Sequence, residues 1–131
     1  MPYSSRDKVR KKQAKMPVVF VISSDCTLRT MVRAELREAG IMALGMQETG
    51  DLEEVLIRGI VPSSIVLDGV ELEDPKAQNT LGTLAQNVAV LVVDSAIRPA
   101  RPLAGTEVLH RPVQVRDVVS RVLARVGRVK I

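Results

Sequence analysis

The stretch Val18-Val19-Phe20-Val21-Ile22-Ser23-Ser24-Asp25-Cys26 is the one on which the fold turns. Five apolar residues, most of them β-branched or aromatic, suit a short strand buried on both faces. They run without a spacer into Ser23, Ser24 and Asp25, so the strand ends on a cluster of hydrogen-bonding side chains. Beyond them the period changes. Leu28, Met31, Val32, Leu36 and Ala39 recur at helical spacing, with Arg29, Arg33, Arg37 and Glu38 on the outward face. Gly40 then supplies the residue that closes a helix in the left-handed conformation.

The same alternation continues down the chain. Short runs rich in Val, Ile and Leu at 18–22, 41–46, 64–67, 88–93 and 107–109 read as five strands. Between them, a helix is expected over Asp51 to Arg58, ending at Gly59, and a weaker one over 74–85 with Asp74 as cap and Pro75 at its first position. The last helix is expected over Val115 to Val126, where Val115, Val118, Val119, Val122, Leu123 and Val126 form one apolar stripe before Gly127. The segment from Ala96 to Gly105 breaks the rhythm. Pro99 and Pro102 each remove a donor and disfavour helix at the preceding residue, so a loop or one irregular turn is expected there.

Strands alternating with helices imply right-handed crossovers and a mostly parallel sheet covered on both faces, a three-layer, doubly wound α/β fold with an irregular fourth crossover. In such sheets ligands gather beyond the carboxyl ends of the strands. The residues to weigh are therefore Ser23, Ser24 and Asp25 after the first strand, Asp68 after the third, Asp94 and Ser95 after the fourth, and Arg111 after the fifth.

Composition narrows the function. The 131 residues suffice for one domain with a real core. Aromatics are 2%, with one Tyr, one Phe and no Trp, too few for a base-stacking surface. The net charge is +4, and residues 1–16 hold six basic side chains against Asp7, a local +5 that leaves the body at −1. Residues 1–16 thus read as a basic, flexible arm and 17–131 as the domain. The arm is either a solvated tail or a polyanion-binding element for nucleic acid or an acidic partner. It lacks the apolar core of a secretory signal, and no stretch reaches the roughly 18 apolar residues of a membrane span. One cysteine, Cys26, excludes an internal disulfide and, with a single His, a Cys/His zinc site; the cytoplasm is the expected compartment, with no membrane partner. There is no glycine-rich phosphate loop, Gly-flanked serine nucleophile or His-Glu metal motif. Glu71, Glu73 and Asp74 read as a solvated acidic loop with a helix cap, and His110 as a half-exposed neighbour outside any mechanism.

These elements, in this order, resemble the response-regulator receiver domain, a flavodoxin-like fold of two-component phosphorelay systems. VVFVISSDCTLRTMVRAELREAG is similar to the family's opening strand, acidic turn and first helix. Ser63-Ser64-Ile65-Val66-Leu67-Asp68 is similar to the strand that delivers the phosphoacceptor aspartate, and His110-Arg111-Pro112 to the Lys-Pro after the last strand. The resemblance spans about residues 17 to 127. It implies that Asp68 is the phosphoacceptor candidate and that Ser23 and Ser24 occupy the family's metal-binding acidic pair. Two neutral hydroxyls there are a poor Mg²⁺ site, because that ion yields its waters reluctantly and depends on carboxylates. Asp25 matches a position just past the pair and doubles as a helix cap.

The hydroxyl position after the fourth strand falls on Asp94 by strand length, or on Ser95 if the small residue that follows it is aligned with Ala96. A carboxylate at Asp94 would repel an incoming phosphoryl group. Arg111 stands in the lysine's place and is expected to pair with Asp68, Asp94 or both, next to Pro112. The fifth strand also lacks the aromatic that the family often uses as a switch.

The reading that follows is a degenerate receiver, or pseudo-receiver, expected to have no enzymatic activity and no cofactor. It acts by docking to a protein partner: a histidine kinase, an output protein or a second copy of itself. Two alternatives stand beside it. One is a working phosphoacceptor, with Mg²⁺ shared by Asp25 and Asp68; the other makes the basic arm the binding element.

Overall fold

The computed structural model describes residues 17–94, 103–110 and 113–126. Five strands form one sheet: β1 (Val18–Ile22), β2 (Met42–Met46), β3 (Ser64–Asp68), β4 (Ala89–Val93) and β5 (Thr106–Leu109). Their order is β2-β1-β3-β4-β5 and every pairing is parallel. Four described helices pack on it: α1 (Cys26–Glu38), α2 (Leu52–Ile57), α3 (Pro75–Leu84) and α4 (Val115–Val126). Two short 3-10 turns, Thr49–Asp51 and Gly69–Glu73, precede α2 and α3. The expected doubly wound, flavodoxin-like sheet is the one observed, with strand edges moved by a residue or so.

The central strands are apolar through their middles because the two-residue period sends alternate side chains into separate layers. Val19, Val21, Val66, Leu91 and Val93 face α1 and α4, packing on Val32, Leu36, Val118 and Val122. Phe20, Ile22, Ile65, Leu67, Val90 and Val92 face the other way, onto Leu52, Leu72, Ala77 and Leu81. Phe20, the single phenylalanine, is fully buried in this second layer.

The helix ends follow from local chemistry. Asp25 caps α1, its Oδ1 accepting from Leu28 N at 3.1 Å. Gly40, at φ +85°, closes it: Gly40 N bonds Arg37 O and Ile41 N bonds Leu36 O, both at 3.0 Å, the paired bonds of a Schellman ending. Asp74 caps α3 through Lys76 N at 3.1 Å, with Pro75 at the first helical position. The arm at 1–16 and most of the proline-rich fourth crossover lie outside the described residues. What is described of that crossover is a turn over 103–105 with Gly105 at φ +83°, tied by Thr106 N to Leu103 O at 3.0 Å.

Candidate functional site

The parallel register brings the polar strand ends together. Ile22 pairs with Leu67, so Ser23 stands beside Asp68. Asp68 pairs with Val93, so Asp94 lies one residue further out on the next strand, and Val93 pairs with Leu109, which sets His110 beside Asp94. Asp94 N donates to Leu109 O at 3.0 Å and fixes that last step. A row Ser23, Asp68, Asp94, His110 therefore crosses the carboxyl end of the sheet.

Within that row, Asp68 is 8% exposed and both of its oxygens are engaged. Ser23 Oγ donates to Oδ2 at 3.0 Å, and Val70 N donates to Oδ1 at 3.1 Å. The second bond makes Asp68 the cap of the 3-10 turn Gly69–Glu73. Ser23 is in turn buried and held from both sides. Its Oγ accepts from Asp25 N at 3.0 Å, and its carbonyl accepts from Arg29 Nη1 at 2.6 Å. One hydroxyl thus links the start of α1 to the end of β3, a clasp across 45 residues of sequence.

The two serines of the quoted stretch part company. Ser23 is 1% exposed and bonded to Asp68, whereas Ser24 lies on the surface. Asp25 is exposed and turned to its capping bond with Leu28 N. Among the described residues, no three His, Cys, Asp or Glu side chains converge to hold an ion. Ser23 Oγ is committed to Asp68 and Asp25 Oδ1 to the Leu28 N–H, so neither side chain turns toward the other.

Asp94 is 5% exposed, and its Oδ2 lies 3.1 Å from Nδ1 of His110, whose side chain is 69% exposed. A carboxylate only accepts, so Nδ1 is the donor in this contact. His110 is largely exposed, as expected of a neighbour of the strand end, and its ring also bonds the buried Asp94 carboxylate. The expectation that Arg111 neutralises Asp68 or Asp94 lies outside the described residues, as do Ser95 and Pro112.

Sequence reasoning also missed Glu71. It is half-buried, and its Oε1 accepts from Thr49 N at 2.7 Å and Thr49 Oγ1 at 2.8 Å. The loop after β3 is therefore tied to the loop after β2, and Thr49 is buried by the tie. No local pattern announces a bond across 22 residues. Arg29 carried a weak signal, since it sits one turn inside α1, within reach of the strand end that precedes the helix.

No family model matches the chain, and no curated protein is similar to it in sequence. Solved structures match it in fold. A response regulator receiver protein from Sinorhizobium medicae superposes with a TM-score of 0.68 at 12% identity, over 87% of this chain and 97% of that one. One from Burkholderia phymatum gives 0.65 at 19%, over 86% and 97%. An orphan response regulator of H. pylori gives 0.63 at 18%, over 84% and 96%. At these identities the likeness establishes the fold, which is that of receiver domains. None of the described helices is long and apolar enough to cross a membrane.

Proposed function

We propose that this chain is a signal-transduction module of receiver type that has lost Mg²⁺-dependent phosphorylation and acts by protein–protein contact. The observation that supports it is the double engagement of Asp68 by Ser23 Oγ and Val70 N. A phosphoacceptor carboxylate needs a free oxygen to attack phosphorus and a cation to neutralise the charge that develops. Here one oxygen holds a buried hydroxyl, the other a backbone N–H, and the neighbour that could carry negative charge toward a cation is a serine. Asp94 adds a second buried carboxylate on the adjacent strand, where an incoming phosphoryl group meets repulsion. Titration with Mg²⁺, followed by amide chemical shifts, tests the reading: no saturable change is expected at residues 23, 68 or 94. A saturable change that Asp68→Ala abolishes would favour the working phosphoacceptor.

A further inference from the structure

β2 is an edge strand, and three arginines of α1 lie along it. Arg29 Nη1 donates to Ser23 O at 2.6 Å, while Arg33 Nε and Arg37 Nη2 both donate to Ala43 O, each at 3.4 Å. The middle of the strand makes room for them. A Cβ on Gly45 would fall 2.8 Å from Arg33 Cδ and 3.1 Å from Arg29 Cδ, so the bare backbone there lets both stems pass. Arg29 and Arg33 thus meet over Gly45, and Arg33 and Arg37 meet at Ala43 O. Four residues apart, the three follow one another at about 6 Å along the helix axis, a single row of about 12 Å.

The row carries more charge than its bonds explain. Covering an edge carbonyl takes one donor, yet two guanidinium groups converge on Ala43 O. Like charges at such range repel unless a counter-charge lies between them. No ion pair among the described residues involves Arg29, Arg33 or Arg37. Each guanidinium has five N–H donors, and one of each five is engaged. Arg37 is exposed and the other two are partly so, which leaves the remaining donors open to a ligand.

We infer that this row binds the phosphate backbone of duplex nucleic acid, without reading its sequence. The planar guanidinium fork matches phosphate bidentately. One strand of a duplex presents a phosphate about every 3.4 Å of axis, so about three face the length of the row. The floor beneath the charges is Gly45 and a backbone carbonyl, with no apolar anchor of the kind an acidic protein would dock around. The basic segment 1–16 enlarges the same surface. It holds six basic side chains against Asp7, and it joins the domain next to Val18, which pairs with Met42, the neighbour of Ala43. With one Phe, one Tyr and no Trp in the chain, base stacking contributes nothing and the contact is with backbone alone. The inference goes beyond the proposed function and does not depend on the state of Asp68.

The test is fluorescence anisotropy of a labelled DNA duplex of about 20 base pairs with the full 131-residue chain, at salt from about 50 to about 200 mM. Affinity is expected to fall linearly with salt on logarithmic axes. Arg33→Gln with Arg37→Gln should flatten that slope by about 1.8, two phosphate contacts at about 0.9 each, and weaken binding at least about fivefold at the lowest salt. Arg33→Lys with Arg37→Lys should keep the slope near that of the parent, because charge and not edge cover carries it. Should the paired Gln substitution lose its native circular dichroism, Arg37→Gln alone, at the exposed end, should flatten the slope by about 0.9. No binding at the lowest salt overturns the inference. So does a slope that the Gln substitutions leave unchanged, which would assign the binding to residues 1–16. Displacement of the duplex by poly-glutamate at equal charge overturns it too, and would point to an acidic protein.

Discussion

Ser23 Oγ donates to Asp68 Oδ2 across 3.0 Å, joining the first and third strands of the sheet at their carboxyl ends. Both residues are buried, so the bond is sheltered from competing water. Ser23→Ala removes the donor and leaves a buried carboxylate oxygen without its hydroxyl partner, at a cost of about 1–3 kcal/mol. Ser24→Ala, one residue on but exposed, should change stability by less than about 0.5 kcal/mol. Urea unfolding of the two variants measures the difference; equal effects would count against the clasp.

The cap at Asp25 separates structural from chemical roles. Asp25→Ala should cost about 1 kcal/mol through the lost bond to Leu28 N, and Asp25→Ser or Asp25→Asn should recover most of it. A role in holding a cation would instead show as a Mg²⁺-dependent gain in stability that Asp25→Asn abolishes.

The contrast between Asp25 and Asp68 shows how far the sequence was legible. Strand period, helix caps and glycine ends are local signals. They placed the five strands, the Asp74 and Asp25 caps and the Gly40 ending within a residue or two, because nearest-neighbour chemistry dictates them. The site's position was legible for the same reason, since alternation implies a parallel sheet and a parallel sheet implies its carboxyl edge. The partners of each site residue were not. Ser23 to Asp68, Asp94 to His110 and Glu71 to Thr49 span 45, 16 and 22 residues, distances over which only the assembled register decides who meets whom. The bond from His110 was not legible because Asp94 is buried on the neighbouring strand.

Placing a charge at Ser23 should create a response to cation. Ser23→Asp sets a second carboxylate against Asp68, so repulsion should lower stability in metal-free buffer. Millimolar Mg²⁺ should recover part of that loss by neutralising the pair. Thermal unfolding with and without Mg²⁺ checks this: the variant should gain and the parent protein should not. Equal shifts in both proteins would contradict the account.

Acid should loosen the β5–α4 contact. Glu107 accepts from Arg125 and, at 3.0 Å, from Arg121. The Arg125 hydrogen bond is the main influence and, with the two nearby positive charges, holds the Glu107 carboxyl below the usual range against the opposing pull of partial burial. A carboxyl with a lowered folded-state pKa stabilises above its unfolded value, about 4.3, and that contribution fades as pH falls through the lower folded-state value. Glu107→Gln should therefore be less stable than the parent at pH 7 and converge with it at the acidic end. Both arginines are more than half exposed, so the gap should shrink with added salt.

The central claim, that Asp68 is clasped by Ser23 and Val70 and does not accept a phosphoryl group, is tested most directly by intact-mass measurement after incubation with acetyl phosphate and Mg²⁺. The account expects the mass to stay that of the unmodified chain. A phosphoryl increment that disappears in Asp68→Asn would contradict it.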